Sequence, residues 1–178
     1  MKTLVISSIL LLMIMPQLSA QKKSAAETEI TQILKVYSKS VIERDSIAFY
    51  DLFNDGIVTW CAALKDSSQE KEMLKEGKKT ARSNYSSGSY KGFMRALFRY
   101  KSTEDKFDNI KIVNDGTVAS VMMDYSFWAN GKMTNWGSKF LGLIKRDGKW
   151  KITNVVYSIE LTDYFAQPTV EKRQTNLQ

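Results

Sequence analysis

The spacing of apolar residues predicts two helices in the first part of the chain. Over residues 27–44, apolar side chains recur every three or four positions, which is the period of an amphipathic helix. Asp45 follows directly and favours capping of a second, short helix. The Asn-Asp-Gly sequence at 54–56 indicates where that helix ends.

The middle of the chain changes character twice. Residues 57–63 are β-branched and aromatic, which predicts a strand. Residues 64–89 are rich in Lys, Glu and Ser, and we expect a polar helix near 69–79 within a long connection that is either a functional flap or simply mobile. Residues 90–100 return to a helical pattern, with basic residues on the face opposite the apolar one, at Lys91, Arg95 and Arg99.

From residue 107 onward the pattern has the two-residue period of strands. Strands are predicted at 107–113, 117–129, 136–145 and 150–160. Glycine-containing turns separate them at 114–116, 130–131 and 147–148, where glycine supplies the positive φ of a tight hairpin. The sequence therefore predicts an antiparallel meander.

The strand at 117–129 has two unlike faces. One face is wholly apolar and includes Tyr125 and Phe127, whereas the other mixes Asp124 with Val118 and Met122. A sheet with one face in water should alternate cleanly between apolar and polar side chains. The mixed face therefore indicates either a dimer interface or a ligand cavity.

The first twenty residues have the order of a secretory signal peptide. Lys2 is followed by an apolar run of about a dozen residues, shorter than the roughly 20 that span a bilayer. Small residues then precede an expected cleavage near Ala20. We expect an exported protein, periplasmic or extracellular, with a signal peptide at 1–20, one domain at 21–166 and a flexible tail at 167–178.

Composition narrows the chemistry. The chain has no His and one Cys, so Ser-His-Asp and Cys-His catalysis, His-based zinc sites and an intrachain disulfide are all excluded. Cys61 is expected to be buried, because its neighbours are apolar. No cofactor or metal is predicted. The formal charge of +7 fits an anionic envelope surface or solubility alone, and export argues against a nucleic-acid partner.

The order of these elements resembles the nuclear transport factor 2-like superfamily, which includes SnoaL-like and ketosteroid-isomerase-like proteins. The resemblance covers about residues 27–160, and its motifs are Glu43-Arg44-Asp45, Asp51-Leu52-Phe53, Val58-Thr59-Trp60 and the stretch from Arg146 to Ile152. It implies an α+β fold in which a strongly curved antiparallel sheet forms a cone around the N-terminal helices. It also implies an internal pocket and frequent homodimers through the outer face of the sheet.

The sequence departs from the enzymes of that superfamily at their catalytic positions. Many of them place His on the last strand, where this chain has Asn154 and Val156, and neither residue transfers a proton. Asp124 and Tyr125 have the residue types of an isomerase site. Adjacent strand residues point to opposite faces, however, so Asp124 is only a speculative catalytic residue.

Three functions remain open from the sequence. The favoured hypothesis is a non-catalytic domain that binds a small apolar or amphipathic ligand in an internal pocket. The second is a lyase- or isomerase-type enzyme that uses carboxylate acid–base chemistry, and the third is a dimeric interaction module at the cell envelope. The candidate ligand-binding residues are four aromatic and two polar residues: Trp60, Tyr125, Phe127, Trp136, Asn154 and Ser158. We expect Asn154 and Ser158 to share one strand face with Trp150 and Ile152.

Overall fold

The computed structural model describes residues 24–75, 77 and 83–169. Four helices and six strands follow one another in this part of the chain. They are α1 (Ala25–Glu43), α2 (Ser46–Asp51), β1 (Thr59–Leu64), α3 (Asp66–Lys75), β2 (Tyr85–Ser87), α4 (Tyr90–Leu97), β3 (Thr103–Asn114), β4 (Val118–Ala129), β5 (Lys132–Arg146) and β6 (Lys149–Leu161). The fold is α+β, as the sequence predicts.

The two N-terminal helices begin at side chains that satisfy their free backbone N–H groups. Ser24 and Glu27 form a reciprocal capping box at the start of α1. The Asp45 side chain accepts hydrogen bonds from the backbone of Ile47 and Ala48, so the predicted cap of α2 is confirmed. Arg44 adopts the left-handed conformation between the helices and lets the chain reverse.

All six strands form one sheet in the order β2-β1-β6-β5-β4-β3. Strands β3 to β6 are the predicted antiparallel meander. The sheet as a whole is mixed, because β1 pairs in parallel with β6. Parallel neighbours need a long crossover, and here the chain between the two strands supplies α3, α4 and the meander.

Two of the hairpins have two-residue turns in which both residues have positive φ. These are Asn130-Gly131 and Asp147-Gly148. Positive φ at both positions matches the right-handed twist of the flanking strands, and Asn-Gly and Asp-Gly are the pairs that tolerate it best. The predicted hairpins are therefore confirmed at the level of backbone geometry.

Irregular pairing bends the meander at three places. The register shifts between Asp108 and Lys111, between Phe127 and Trp128, and between Gly142 and Leu143. An extra residue on one strand locally bends and twists a sheet. These bulges allow the long strands to curl around the helices.

The inner face of the sheet is the one covered by α1 and α2. On β4 its members are Ala119, Val121, Met123 and Tyr125, and all four are buried. On the same strand, Val118 and Met122 point to the outer face and are about half exposed. The two unlike faces predicted for this strand are thus present in the structure.

The segment at 64–89 contains more structure than the sequence indicates. Its helix, α3, lies earlier than expected, and β2 was not predicted at all. β2 pairs with β1 at the edge of the sheet, and each of its three residues is exposed. An exposed three-residue strand has no buried face, so it leaves no alternating pattern to read.

Cys61 corrects a second expectation. The residue is partly exposed rather than buried. It lies on β1 between Trp60 and Ala62, which are both buried, so it points to the outer face with its pairing partner Val156. The apolar neighbours that suggested burial belong to the opposite face of the same strand.

Two predictions concern residues outside the described part of the chain. The signal peptide at 1–20 lies wholly outside it, and so does most of the tail predicted at 167–178. Within the described ranges, none of the helices combines the length and the apolar character needed to cross a membrane.

Close approach of β5 to β6 gives a direct stability test. A Cβ added at Gly137 would lie 2.1 Å from the Ser158 carbonyl oxygen, which is part of the sheet backbone and has little freedom to move. We expect Gly137→Ala to lower the free energy of unfolding by about 3 kcal/mol in chemical denaturation. Gly88→Ala meets only a Trp60 side-chain atom at 3.8 Å, and as the control it should change stability by less than about 0.5 kcal/mol. Equal stability of the two variants would contradict the strand packing.

Candidate functional site

A lysine and an aspartate lie inside the cone. Asp105 is on β3 and Lys139 is on β5, and the Lys139 Nζ donates a hydrogen bond to the Asp105 carboxylate. Their side chains are only 1% and 3% exposed. Because charges lose hydration when they are buried, a pair this deep is among the most costly arrangements in the molecule.

Local contacts fix the two elements that hold the pair. The Ser38 hydroxyl of α1 donates to the Asp105 carbonyl oxygen at 2.8 Å. Two residues earlier on β3, the Thr103 hydroxyl donates a hydrogen bond to the Val41 carbonyl oxygen at 2.8 Å. These two bonds attach β3 to α1 and set the depth of the carboxylate within the cone.

Aromatic rings surround the amine of Lys139. The ring centroids of Tyr125, Phe107, Tyr37 and Tyr157 lie 4.4, 5.1, 5.4 and 5.5 Å from its Nζ. Each comes from a different element, because α1, β3, β4 and β6 all turn one ring toward the same point. We call Lys139, Asp105 and these four rings the interior cluster.

Two polar atoms of the interior cluster lack a hydrogen-bond partner among the described residues. They are the Tyr37 hydroxyl and the Asp105 Oδ1. Tyr125 differs, because its hydroxyl donates to the Ser158 carbonyl oxygen at 2.9 Å and lies 3.1 Å from Asn135 Oδ1. Buried polar atoms are almost always paired, so the two unpaired atoms single out this part of the cone.

Burial shifts the acid–base behaviour of the cluster. Loss of hydration raises the pKa of Asp105 and lowers the pKa of Lys139, and their mutual attraction only partly offsets both shifts. Burial also raises the pKa of Tyr37 and Tyr125 well above the usual tyrosine value, and the Asp105 charge adds to both shifts. The tyrosines therefore stay protonated, while the two charged groups are pushed toward neutrality.

The structure places three of the six predicted ligand-binding residues toward the interior. Tyr125 is a member of the cluster. Trp60 is buried and meets Tyr157 ring to ring at 6.1 Å. Phe127 is partly buried against the core and lies 6.2 Å from the Phe93 ring.

A bulge turns the two predicted polar residues the other way. Ile152 and Val155 are both fully buried, although residues three apart on a regular strand face opposite sides. The register shift opposite Gly142 accounts for the change of phase. Asn154 and Ser158 consequently do not share the face of Trp150 and Ile152, which corrects the expectation from simple alternation.

Asp124 and Trp136 also lie away from the interior cluster. The Asp124 carboxylate accepts a hydrogen bond from Asn109 at 2.7 Å on the outer side of the sheet. Trp136 pairs with Glu160, donates its indole N–H to the Phe165 carbonyl oxygen, and stacks under the Lys65 amine at 4.4 Å. Neither residue reaches the acid–base groups in the cone.

Asp105 and Lys139 were not among the predicted site residues, although a signal was present for Lys139, which lies within the strand predicted at 136–145. Asp105 is in phase with Thr103 and Phe107, and Lys139 is in phase with Leu141, on strands whose inner faces are otherwise core. A charged residue in register with a buried strand face has no solvent and needs a partner. Asp105 precedes the strand predicted at 107–113, so its pairing with Lys139 becomes visible only once β3 is seen to begin at Thr103.

Two pockets lie on the outside of the described molecule. One, of about 720 Å³, runs between α1 and the Gly148–Trp150 turn, and the other, of about 340 Å³, lies between Asn54 and Arg146. Neither is lined by a member of the interior cluster. Across the described ranges, no group of three or more acidic, Cys or His residues is arranged to hold a metal ion.

The interior pair makes a prediction about stability. Lys139→Met leaves the Asp105 carboxylate buried without its partner, and we expect a loss of about 3–5 kcal/mol in the free energy of unfolding. The double variant Asp105→Leu/Lys139→Met removes both charges and should recover to within about 1 kcal/mol of the original chain.

The exposed pair Lys132–Asp163 provides the matched control, at 3.4 Å between solvated side chains. Lys132→Met should cost less than about 1 kcal/mol, because water replaces the lost partner. Equal costs for Lys132→Met and Lys139→Met in urea unfolding would contradict the burial of the interior pair.

Comparison with solved structures identifies the fold. No family model matches the chain, and no curated protein matches it. Among solved structures, a Pseudomonas putida protein of unknown function with a nuclear transport factor 2-like fold is 12% identical, with a TM-score of 0.56 over 83% of this chain and 97% of that one. A Shewanella baltica protein of the same description is 15% identical, with a TM-score of 0.52 over 79% and 100% of the two chains.

A third similar structure carries a provisional activity name. It is a Novosphingobium aromaticivorans protein provisionally named a scytalone dehydratase, 16% identical, with a TM-score of 0.52 over 79% of this chain and 88% of that one. At these identities the likeness is one of fold. The chain described here has the nuclear transport factor 2-like fold.

Proposed function

We propose that the protein binds a small amphipathic molecule inside the cone, against the interior cluster. The observation that carries this proposal is the pair of unpartnered buried atoms, the Tyr37 hydroxyl and the Asp105 Oδ1. Leaving such atoms unpaired costs about 1–3 kcal/mol each. A ligand with one polar group would pair them, while its apolar body contacts the rings.

The charge of the cluster favours a neutral ligand. The positive charge of Lys139 is already balanced by Asp105, so the cluster carries no net charge. An anion or cation that entered would bring an uncompensated charge into a dry interior, at a cost of several kcal/mol. The aromatic walls favour a flat apolar body over a polar one.

A chain of ring contacts indicates the route to the cluster. Phe93 of α4 and Phe127 of β4 are only partly buried and face each other at 6.2 Å. Behind them, Trp60 lies 5.0 Å from Phe93 and 6.1 Å from Tyr157, which reaches the Lys139 amine. Separation of Phe93 from Phe127 would open this route, and the side chains that now fill it would move apart around the ligand.

Acid–base catalysis is the second candidate, and the same cluster favours it. A carboxyl with a raised pKa beside an amine with a lowered pKa is the type of pair that exchanges a proton readily. The provisional scytalone dehydratase of the same fold is consistent with a lyase, although the likeness extends to the fold alone. Asp105, rather than Asp124, would be the carboxylate of this reaction.

The binding proposal predicts ligand-dependent stabilisation. In thermal unfolding against a panel of neutral aromatic alcohols and primary amides, at least one compound should raise the Tm, and the rise should grow with concentration. The double variant Asp105→Leu/Lys139→Met should fold but lose the preference for polar head groups. Trp136→Phe, outside the cone, should bind as the original chain does.

Two results would count against the proposal. One is a panel in which no compound shifts the Tm of the original chain at concentrations up to solubility. The other is binding that Trp136→Phe removes and the double interior variant keeps, since the ligand would then sit on the outer surface.

We propose further that two copies pair through the outer face of the sheet. Met122, Phe140 and Val156 are consecutive partners across β4, β5 and β6, so they form one apolar row. Met122 is 50% exposed and Val156 is 40% exposed in the single chain. A contiguous apolar row on an open sheet face is typical of an interface that a second copy covers.

The dimer proposal is tested by the mass in solution. We expect light scattering after size-exclusion chromatography to give twice the chain mass for the original protein and the single-chain mass for Met122→Lys. Ile47→Lys, at an exposed apolar position on α2 away from the sheet, should remain dimeric. A monomeric original chain at micromolar concentration would refute the proposal.

A further inference from the structure

Lys139 holds a primary amine at the centre of the proposed binding site. Its Nζ has Asp105 as its charged partner, and the remaining surroundings are the four rings of the interior cluster. Most lysines in the described ranges are exposed. Among the described lysines, Lys139 is the one that is buried, and its amine lies between a carboxylate and four aromatic rings.

We infer that Lys139 is a nucleophile that forms an imine with a small aldehyde or ketone bound in the cone. The inference rests on the proposed binding function and names the chemical class of the ligand. The inference explains why three groups occur together that binding alone would not require. They are the Lys139 amine, the Asp105 carboxylate that is hydrogen-bonded to it, and the unpartnered Tyr37 hydroxyl.

The carboxylate gives the amine a place to leave its proton. Asp105 Oδ2 accepts the hydrogen bond from Lys139 Nζ, so a proton passes between them without water. Burial lowers the pKa of Lys139 and raises that of Asp105, and both shifts favour this transfer. The free amine is the form that attacks a carbonyl carbon.

The unpartnered Tyr37 hydroxyl suits the carbonyl oxygen of such a ligand. The Tyr37 hydroxyl keeps its proton, because burial and the Asp105 charge raise its pKa well above the usual value. A protonated hydroxyl with no other partner is a hydrogen-bond donor for an oxygen that gains negative charge. Tyr125 is less suited to this role, since it already donates to the backbone.

The reaction balances within the cluster. Asp105 takes a proton from the Lys139 ammonium, and the amine lone pair forms a bond to the carbonyl carbon while the C=O π pair moves to oxygen. A proton then moves from nitrogen to that oxygen, which gives a neutral carbinolamine. Protonated Asp105 returns its proton to the hydroxyl, the C–O bond breaks with release of water, and a protonated C=N bond remains. The ammonium and the carbonyl compound thus become an iminium and water, with Asp105 regenerated.

Reductive trapping tests this inference on the unmodified protein. The folded chain is incubated with benzaldehyde and cyanoborohydride near neutral pH, and benzylated peptides are quantified by mass spectrometry. We expect modification of Lys139 to exceed that of exposed Lys39 in the folded chain, because the lowered pKa of Lys139 raises its fraction of free amine. Denaturation before labelling should remove the preference.

Variants separate the roles of the cluster. Tyr37→Phe should slow trapping at Lys139 and leave labelling of Lys39 unchanged. Tyr90→Phe, in an aromatic stack with Phe53 remote from the ion pair, should leave both rates unchanged. Because the labelled position is read in the original chain, the result does not depend on whether any Lys139 variant folds.

The outcomes distinguish this inference from the binding proposal beneath it. Benzyl alcohol, which has no carbonyl group, serves as the binding probe in thermal unfolding. If it raises the Tm while benzaldehyde labels only exposed lysines, the cone binds ligands and the imine inference is wrong. If neither compound affects the protein, the binding proposal fails and the imine inference fails with it.

Discussion

The removal of Lys139 and Asp105 from water is the constraint on which the interior of this protein depends. Each buried charge costs several kcal/mol in lost hydration, and mutual attraction recovers that cost only with good geometry. The structure supplies the geometry by tying β3 to α1 through Ser38 and by enclosing the amine in four rings. An apolar pair of similar volume would hold the same cone together at least as well. Because stability alone does not require a buried charged pair here, we treat the cluster as a candidate functional site.

The curl of the sheet puts the pair inside. Bulges in the meander bend strands that would otherwise lie flat, and the one beside Gly142 changes which β6 residues face inward. Gly137 lets β5 pass against the Ser158 backbone, two residues before Lys139 on the same strand face. The bulges and Gly137 therefore determine where Lys139 and Asp105 lie, because they set the path of the strands that carry them.

Much of the fold could be predicted from the sequence, and the reasons are local. The period of apolar residues in α1, the Asp45 cap and the Asn130-Gly131 and Asp147-Gly148 turns each depend on a few neighbouring residues. The parallel pairing of β1 with β6 and the edge strand β2 depend on contacts far along the chain, so no local pattern announces them. β2 has no buried face to give alternation.

The candidate site was predicted less well, because strand alternation fails at a bulge. Asn154 and Ser158 were assigned to the face of Trp150, and the extra residue near Thr153 moved them off it. Trp60, Tyr125 and Phe127 lie toward the interior and pack against the core, and their role in ligand binding stays a prediction. Lys139 was readable as a charge in phase with a core face, whereas Asp105 lies before the strand predicted at 107–113, because β3 begins earlier, at Thr103.

The central claim is that the interior cluster receives a polar atom of a small molecule between Tyr37 and Asp105. A high-resolution crystal structure of the protein soaked with a compound that raises its Tm tests this claim most directly. We expect a ligand atom within hydrogen-bond distance of both the Tyr37 hydroxyl and the Asp105 Oδ1, with Phe93 and Phe127 moved apart. A cone that stays closed in that crystal, with both atoms paired to protein groups and the compound bound outside, would contradict it.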